Sequence, residues 1–258
     1  MLGAMLTASD TAFSIAVVRA EEGARPMSER LFEDPYAHLF RAAGAHAEEG
    51  TKRYLDLPFF RDGIRLRTRF IDDVLSNALA DGIVQIVLLG TGFDTRALRV
   101  PAIAERGAHV YELDLLDQLQ LKRRVLAEGG VPIPDWVSYI ASDLTTADYE
   151  TTVAEALEDA GFRRDRGALV IWEGVTTYIG VAATDRSLQF LATLVSSEVR
   201  VVFDVGASFF GAETVNDHVT HAGFSSCEVH GGDDLWLRYL PGAPNPAAEV
   251  FRMVLARR

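Results

Sequence analysis

Cysteine is nearly absent: Cys227 is the only one in 258 residues. A single thiol closes no internal disulfide and supplies no multi-cysteine metal site, so Cys227 reads as a structural residue in a reducing compartment. Positive charge is also scarce. The 25 Lys+Arg stand against 37 Asp+Glu, a net charge of −12 that repels a phosphate backbone, and no local basic stripe offsets it, so no nucleic acid is expected as a partner. Long apolar runs are missing as well. Stretches such as Val84 to Leu89 are strand-sized, far below the roughly 20 residues that cross a bilayer, and Met1 to Ala20 lacks the basic segment of a secretory signal. These absences predict a cytoplasmic protein with no membrane partner, and nothing in the sequence indicates a homo-oligomer.

What is present is ordinary for a globular chain. An apolar share of 48% and a charged share of 24% exclude collagenous, coiled-coil and disordered classes. No internal repeat, low-complexity tract or linker divides the chain. The expectation is one domain over residues 1–258, with an N-terminal helical cap over 1–81 and an α/β core over 82–258.

Three helical signals fill the first part. Thr11 to Glu21 carries Ala12, Ile15, Ala16 and Ala20 at helical spacing. Asp34 followed by Pro35 reads as an N-cap with proline at the first helical position, leading to Gly44. From Phe60 to Ala80, Leu66, Phe70, Ile71, Val74, Leu75 and Leu79 recur at three and four, with Arg65, Arg67 and Arg69 along the flank and Gly82 as the stop.

Beyond Gly82, short apolar runs alternate with helical stretches, the pattern of βαβ units and a parallel sheet. Strands are expected at Val84–Leu89, His109–Leu113, Val137–Ile140, Ala168–Trp172 and Val199–Phe203, and helices near Leu115–Ala127, Tyr149–Ala160 and Thr184–Val195. Cys227–His230 and Glu249–Leu255 look like two further strands, with Pro241–Pro246 making a hairpin-like return between them. The fold class predicted is α/β: a seven-stranded, mostly parallel, Rossmann-like sheet with helices on both faces.

The first chemical signal is Leu88-Leu89-Gly90-Thr91-Gly92-Phe93-Asp94, a buried strand running into a glycine turn. Gly90 and Gly92 allow close backbone approach to a ligand at the carboxyl end of the first strand, where open α/β sheets bind. A dinucleotide fingerprint wants a small third residue at position 95, and Thr95 stands there. Carboxylates also close successive strands: Asp94, then Glu112 and Asp114, then Asp143, then Glu173. Such a mouth disfavours a pyrophosphate and suits a ligand with hydroxyls, amino groups and a positive centre, of which S-adenosylmethionine is one. Glu112 lies twenty residues past Gly92, the distance at which this fold places a ribose-binding acid, and Asp114 shares its face of the strand, so either can hold a ribose.

The segments Arg67-Thr68-Arg69-Phe70-Ile71-Asp72, Leu89-Gly90-Thr91-Gly92-Phe93-Asp94-Thr95-Arg96, Tyr111-Glu112-Leu113-Asp114 and Trp172-Glu173-Gly174, in this order, resemble the leucine carboxyl methyltransferase family. Its bacterial members include S-adenosylmethionine-dependent O-methyltransferases of actinobacteria and polyketide carboxyl methylases. The resemblance runs from the Asp34-Pro35 helix to about Phe203 and implies a class I methyltransferase fold with S-adenosyl-L-methionine as cofactor. Arg69 matches the arginine that grips the methionine carboxylate, and Gly90 and Gly92 match the turn beneath it. Asp114 matches the ribose-binding acid, Asp143 with Leu144 the pair that holds adenine, and Glu173 the acid near the amino group and sulfonium. The family often reads Glu-Val-Asp-Gln-Pro where this chain has Glu112-Leu113-Asp114-Leu115-Leu116, and the N-terminal lysine of eukaryotic members has no counterpart here.

The activity so implied is O-methylation of a carboxylate or hydroxyl on a small molecule, such as a polyketide-type intermediate. A carboxylate acceptor needs no base, whereas a phenol, with a pKa near 10, is helped by one. Tyr178, Asp204, His218 and His221 are the candidates for that base, and no metal is expected, since His218 and His221 lack a third ligand nearby in sequence. The aromatic residues Phe13, Tyr36, Phe40, Tyr54, Phe59 and Phe60 belong to the expected cap. The alternatives are a non-catalytic S-adenosylmethionine-binding or protein-carboxyl-modifying module and, behind them, an NAD-dependent oxidoreductase.

Overall fold

A computed structural model describes residues 8–44, 48–211 and 213–258. The chain opens with four helices, α1 (Ala8–Gly23), α2 (Ala37–Ala43), α3 (Glu48–Leu55) and α4 (Phe60–Ala80). Asp34 and Pro35 were expected as N-cap and first helical residue, but α2 starts at Ala37 with Tyr36 as its N-cap; Asp34 instead closes the turn before it, its Oδ1 accepting the backbone N–H groups of Tyr36 and Ala37, each at 3.1 Å. The α4 bounds are those its periodicity predicts. Its apolar stripe of Leu66, Phe70, Ile71, Val74, Leu75, Ala78 and Leu79 is buried, and the chain leaves through Gly82 at φ +89°, a conformation that favours glycine.

The sheet follows. Its strands are β1 (Gln85–Leu89), β2 (His109–Asp114), β3 (Val137–Ala141), β4 (Ala168–Trp172), β5 (Val199–Gly206), β6 (Ser226–Gly231) and β7 (Phe251–Arg257). Between them lie α5 (Arg96–Arg99), α6 (Pro101–Glu105), α7 (Leu116–Glu128), α8 (Tyr149–Asp159), α9 (Thr176–Ala192), α10 (Val215–His221) and α11 (Gly232–Tyr239). The strand order is β3-β2-β1-β4-β5-β7-β6, parallel except that β7 runs antiparallel to both its neighbours. All five residues of β1 and of β4 are buried, so β4 is an unbroken apolar run and β1 is apolar after Gln85, whose amide bonds the backbone of Arg163. Within β1, Val87 and Leu89 pack on one face with α8 and α9, while Ile86 and Leu88 pack on the other with α4, the period of two expected of a pleated strand.

Helices α3, α6, α10 and α11 have no counterpart among the expected elements, and two further regions depart from the expectation. Helix α9 begins at Thr176, eight residues ahead of Thr184. Its opening turn is separated from the rest by Gly180 at φ +78°, and the β-branched residues and glycine there hide the helical period. Between β6 and β7, Pro241–Pro246 does not make the return alone. Helix α11 and a 3₁₀ turn at Pro246–Val250 intervene, so Glu249 belongs to the turn and β7 starts at Phe251, although β6 and β7 still pair, Ser226 opposite Arg257.

The N-terminal helices join the core through Phe93, whose ring lies 4.6 Å from that of Phe40 and 5.0 Å from that of Phe13. Val125 and Leu126 of α7 complete this cluster. The cap and the sheet therefore share apolar contacts. Phe40→Ala, at a fully buried position, is expected to lower stability by about 3–5 kcal/mol in a single transition; a separate early transition in urea unfolding, followed by fluorescence and circular dichroism together, would show that the cap melts by itself.

Candidate functional site

At the carboxyl ends of β1 to β4 the structure holds a cavity of about 690 Å³, within the range for small-molecule sites. Its floor is the Gly90-Thr91-Gly92 turn, with Gly90 at φ +71° and Gly92 at φ +50°, and a side chain at Gly90 would run into Val175 Cγ2 at 2.3 Å. The turn is pinned to β2: Gly90 N and Thr91 N both donate to Leu113 O at 2.9 Å, and Gly92 N donates to Asp114 Oδ2 at 2.6 Å. Helix α1 forms another wall, with Ala12, Ile15 and Arg19 facing inward at helical spacing.

Glu173, at the end of β4, organises the cavity's charge. Its carboxylate receives Arg19 Nη2 at 3.0 Å, Arg67 Nε at 2.9 Å and Arg96 Nη1 at 2.7 Å. Arg67 also reaches Asp204 Oδ2 at 2.9 Å, and Asp204 Oδ1 accepts Gly174 N at 2.6 Å. Arg96 bonds Asp94 and, at 2.7 Å, Asp72 of α4. Burial alone would push the Glu173 carboxyl up, but Arg19, Arg96 and Arg67 overcome it and hold the group well below the usual carboxylate range. Burial likewise opposes charge on Arg67, and Asp204 and Glu173 raise its affinity for the proton above that of a free guanidinium.

Of the residues singled out from the sequence, Gly90, Gly92, Asp114, Asp143, Leu144 and Glu173 all line this cavity. Asp114 and Asp143 form no ion pair among the described residues. Burial raises the pKa of Asp114, against the opposing N–H donors of Gly92 and Leu115. Asp143 is exposed, its Oδ1 taking Thr145 N at 2.9 Å and Thr145 Oγ1 at 2.6 Å, and these bonds lower its pKa. Of the two acids on β2, Glu112 is withdrawn beneath the turn, where its Oε2 meets Lys122 Nζ at 2.5 Å. Only Asp114 reaches the cavity.

Arg69 does not reach it. It bonds Asp73 Oδ1 at 2.9 Å and Leu31 O at 3.0 Å, and lies over the ring of Tyr239, whereas Arg67 lines the cavity. Two residues along a helix are about 200° apart, so both arginines cannot face the same way. The sequence held a signal for the choice: Arg67 continues the apolar stripe through Ile71 and Val74, and Arg69 continues the polar face through Asp73 and Ser76. Arg19 was missed too, though it extends the Ala12–Ile15 stripe by one turn, and it brings an N-terminal cation to the site.

The candidate bases divide sharply. Tyr178 lines the cavity mouth, bonded to Thr11 and, at 3.3 Å, to Tyr54 Oη; burial pushes its phenol up. Asp204 is engaged by Arg67. His218 sits between Asp185 at 2.7 Å and Glu213 at 3.1 Å and stacks on Phe210, and His221 is exposed. Among the described residues no histidine, lysine or cysteine lines the cavity, and no group of metal-ligating side chains occurs.

This strand order, with its antiparallel seventh strand, and a cavity over the glycine turn define the architecture of class I methyltransferases; the six-stranded parallel dinucleotide sheet lacks that strand. The chain belongs to the leucine carboxyl methyltransferase family, whose sequence model matches residues 12–192. A relative from Parafrankia sp., named as an S-adenosyl-L-methionine-dependent methyltransferase, is 32% identical over 200 residues, covering 75% of this chain and 62% of its own. One from Frankia alni with the same designation is 35% identical, covering 71% and 64%. The chain thus spans about two thirds or less of the length of these relatives. Among solved structures, a methyltransferase from Thermobifida fusca superimposes with a TM-score of 0.59 at 12% identity, covering 98% of this chain and 94% of that one. Magnesium protoporphyrin IX methyltransferase from Synechocystis with bound S-adenosylmethionine gives 0.50 at 15% identity, covering 95% and 97%.

The depressed pKa of Glu173 has a measurable sign. A carboxyl held below its unfolded value stabilises the fold fully above that value, and the contribution fades as pH falls toward the folded one. Glu173→Gln is expected to lower stability at pH 7 by about 3–5 kcal/mol. The difference from the unsubstituted protein should hold down to the ordinary carboxylate range near pH 4.5 and shrink below it. A difference that grows with acid in denaturant titrations would contradict this arrangement.

Proposed function

We propose that the chain is an S-adenosylmethionine-dependent O-methyltransferase whose acceptor is the carboxylate of a small, largely apolar molecule. The residues fit the cofactor. Arg67 Nη2 and Arg19 Nε are buried without a hydrogen-bond partner, two donors at a site that would receive the methionine carboxylate. The role first expected of Arg69 therefore passes to Arg67, with Arg19 beside it. Asp114 would accept the ribose hydroxyls, Gly90 and Gly92 would let the backbone pass close beneath, and Asp143 with Leu144 would flank the adenine. Glu173 would serve mainly to orient the arginines, since three guanidiniums already occupy its oxygens.

When bound, S-adenosylmethionine supplies an electrophilic methyl group on a sulfonium. The chain's part is to hold an acceptor in line with it and exclude water, and the apolar Ile15, Val175 and Ile179 suit that task. The observation that carries the choice of acceptor is the lack of a proton acceptor matched to a phenol: among the described residues no histidine lines the cavity, and burial pushes the pKa of the Tyr178 phenol up. A carboxylate arrives already ionised and gives up no proton, so this site is sufficient for it. Hydroxyl methylation is the second reading. An NAD-dependent reaction is disfavoured by the strand order and by Thr95, buried and bonded to Asp34 Oδ2 at 2.8 Å where the dinucleotide pattern needs a small residue.

Asp114→Ala is expected to weaken S-adenosylhomocysteine binding by about 1–3 kcal/mol in calorimetry, and Asp143→Ala to weaken adenosine-containing ligands with the fold intact. Arg69→Met should leave affinity unchanged, whereas Arg67→Met should reduce it; the opposite ranking would restore the first assignment. Binding needs the ionised Asp114, whose pKa burial raises, so affinity should fall with acid at a higher pH than an ordinary aspartate would give. Folding stability does not fall with it, because a raised carboxyl pKa favours the folded state as the proton binds. Acceptor class is tested by following transfer of labelled methyl to matched apolar acids and alcohols: ester formation from the acids supports the proposal, and ether formation alone overturns it.

A further inference from the structure

Lys122 of α7 is fully buried, yet it does not line the cavity. Its Nζ lies 2.5 Å from Glu112 Oε2 and 3.2 Å from Thr91 Oγ1, and Thr91 Oγ1 donates to the same Glu112 oxygen at 3.2 Å. All three side chains are closed off from solvent, Glu112 at 1% exposure and Thr91 at 6%. Thr91 is the middle residue of the Gly90–Gly92 turn. The main-chain bonds of that turn go to Leu113 O and Asp114 Oδ2, so its middle side chain and its backbone are fastened to adjacent residues of one strand. A buried ion pair is poor value as a source of stability, since well-packed apolar residues of the same volume commonly do as well. Its directional bonds fix geometry instead, and the geometry fixed here is the height of the turn above β2 and its spacing from Asp114.

We infer that Lys122, acting through Glu112 and Thr91, is a positioning residue that sets the glycine turn and Asp114 at the separation a ribose requires. The inference rests on the cofactor reading of the cavity. Neither Lys122 nor Glu112 touches the ligand; both act through Thr91. Helix α7 also carries Gln118 and Leu121 on the cavity wall, so the same element that contacts the ligand from the side braces the turn from beneath.

The test replaces the pair by apolar residues, Glu112→Leu with Lys122→Met, which removes both charges and leaves none stranded. Under conditions where this variant is fully folded, judged by cooperative unfolding and an unchanged far-ultraviolet spectrum, the dissociation constant for S-adenosylhomocysteine is expected to rise about ten-fold, and that for adenosine by a similar factor. A merely structural pair would lower the melting temperature and leave both constants of the folded protein at their native values, and that result overturns the inference. If the double variant does not fold, Thr91→Val and Thr91→Ser decide. Loss of affinity in the first with retention in the second supports the role of the hydroxyl link, and equal affinity in both refutes it. The unsubstituted protein is titrated alongside: failure of binding there removes the cofactor reading itself, which is distinct from native binding by protein and variants alike.

Discussion

A carboxylate cannot be buried beside the sheet unless cations go with it, and the arrangement at Glu173 follows from that requirement. Arg19 comes from α1, Arg67 from α4 and Arg96 from the segment after β1, so three separate parts of the chain must converge before the charge on β4 is met. Asp204 takes a further donor of Arg67, and Asp94 and Asp72 take further donors of Arg96. The cost of desolvating so many charges is large, and it is offset only where the ions are well paired and hydrogen-bonded, as they are here. The cluster thereby ties α1 and α4 to the end of β4, beside the cavity that Arg19, Arg67 and Glu173 line.

That cluster also changes the meaning of the acidic strand ends. From charge alone, the row of Asp94, Asp114, Asp143 and Glu173 forms a negative mouth opposed by one arginine. In the folded chain Asp94 and Glu173 are neutralised, and of that row Asp114 and Asp143 have no ion-pair partner among the described residues; Asp117 beside them on α7 has none either. The cavity is thus zoned: guanidinium nitrogens with spare hydrogen-bonding capacity near β4, free carboxylates near β2 and β3. A ligand with an anionic end and a hydroxyl-bearing end matches that zoning better than it matches a uniformly negative mouth.

The parallel strands were legible because burial on both faces makes β4 a continuous apolar run and β1 one from Ile86 onward, and α4 was legible because its stripe recurs over 21 residues. Helix α11 was not, since Gly231 before it, Gly232 at its first position and Pro241 after it look like loop residues in sequence, while its burial depends on contact with α4 and β7 that only the fold supplies. The glycine turn, Asp114, Asp143, Leu144 and Glu173 could be placed at the cavity because they follow strand ends, where position in sequence fixes position in space. Arg69 was misread for the converse reason. On a helix, a shift of two residues turns a side chain to the far side, and a motif of three alternating arginines does not say which one faces inward. Lys122 escaped attention because a lone lysine among Arg123 and Arg124 gives no sign that it alone is enclosed.

Helix α1 contributes Ala12 and Ile15 to the cavity wall and, one turn on, Arg19 to the carboxylate on β4. Roof and floor are in this way joined by a single side chain. Arg19 therefore serves the wall of the chamber and the counter-charge of Glu173 at once, so α1 cannot be removed from one without being removed from the other.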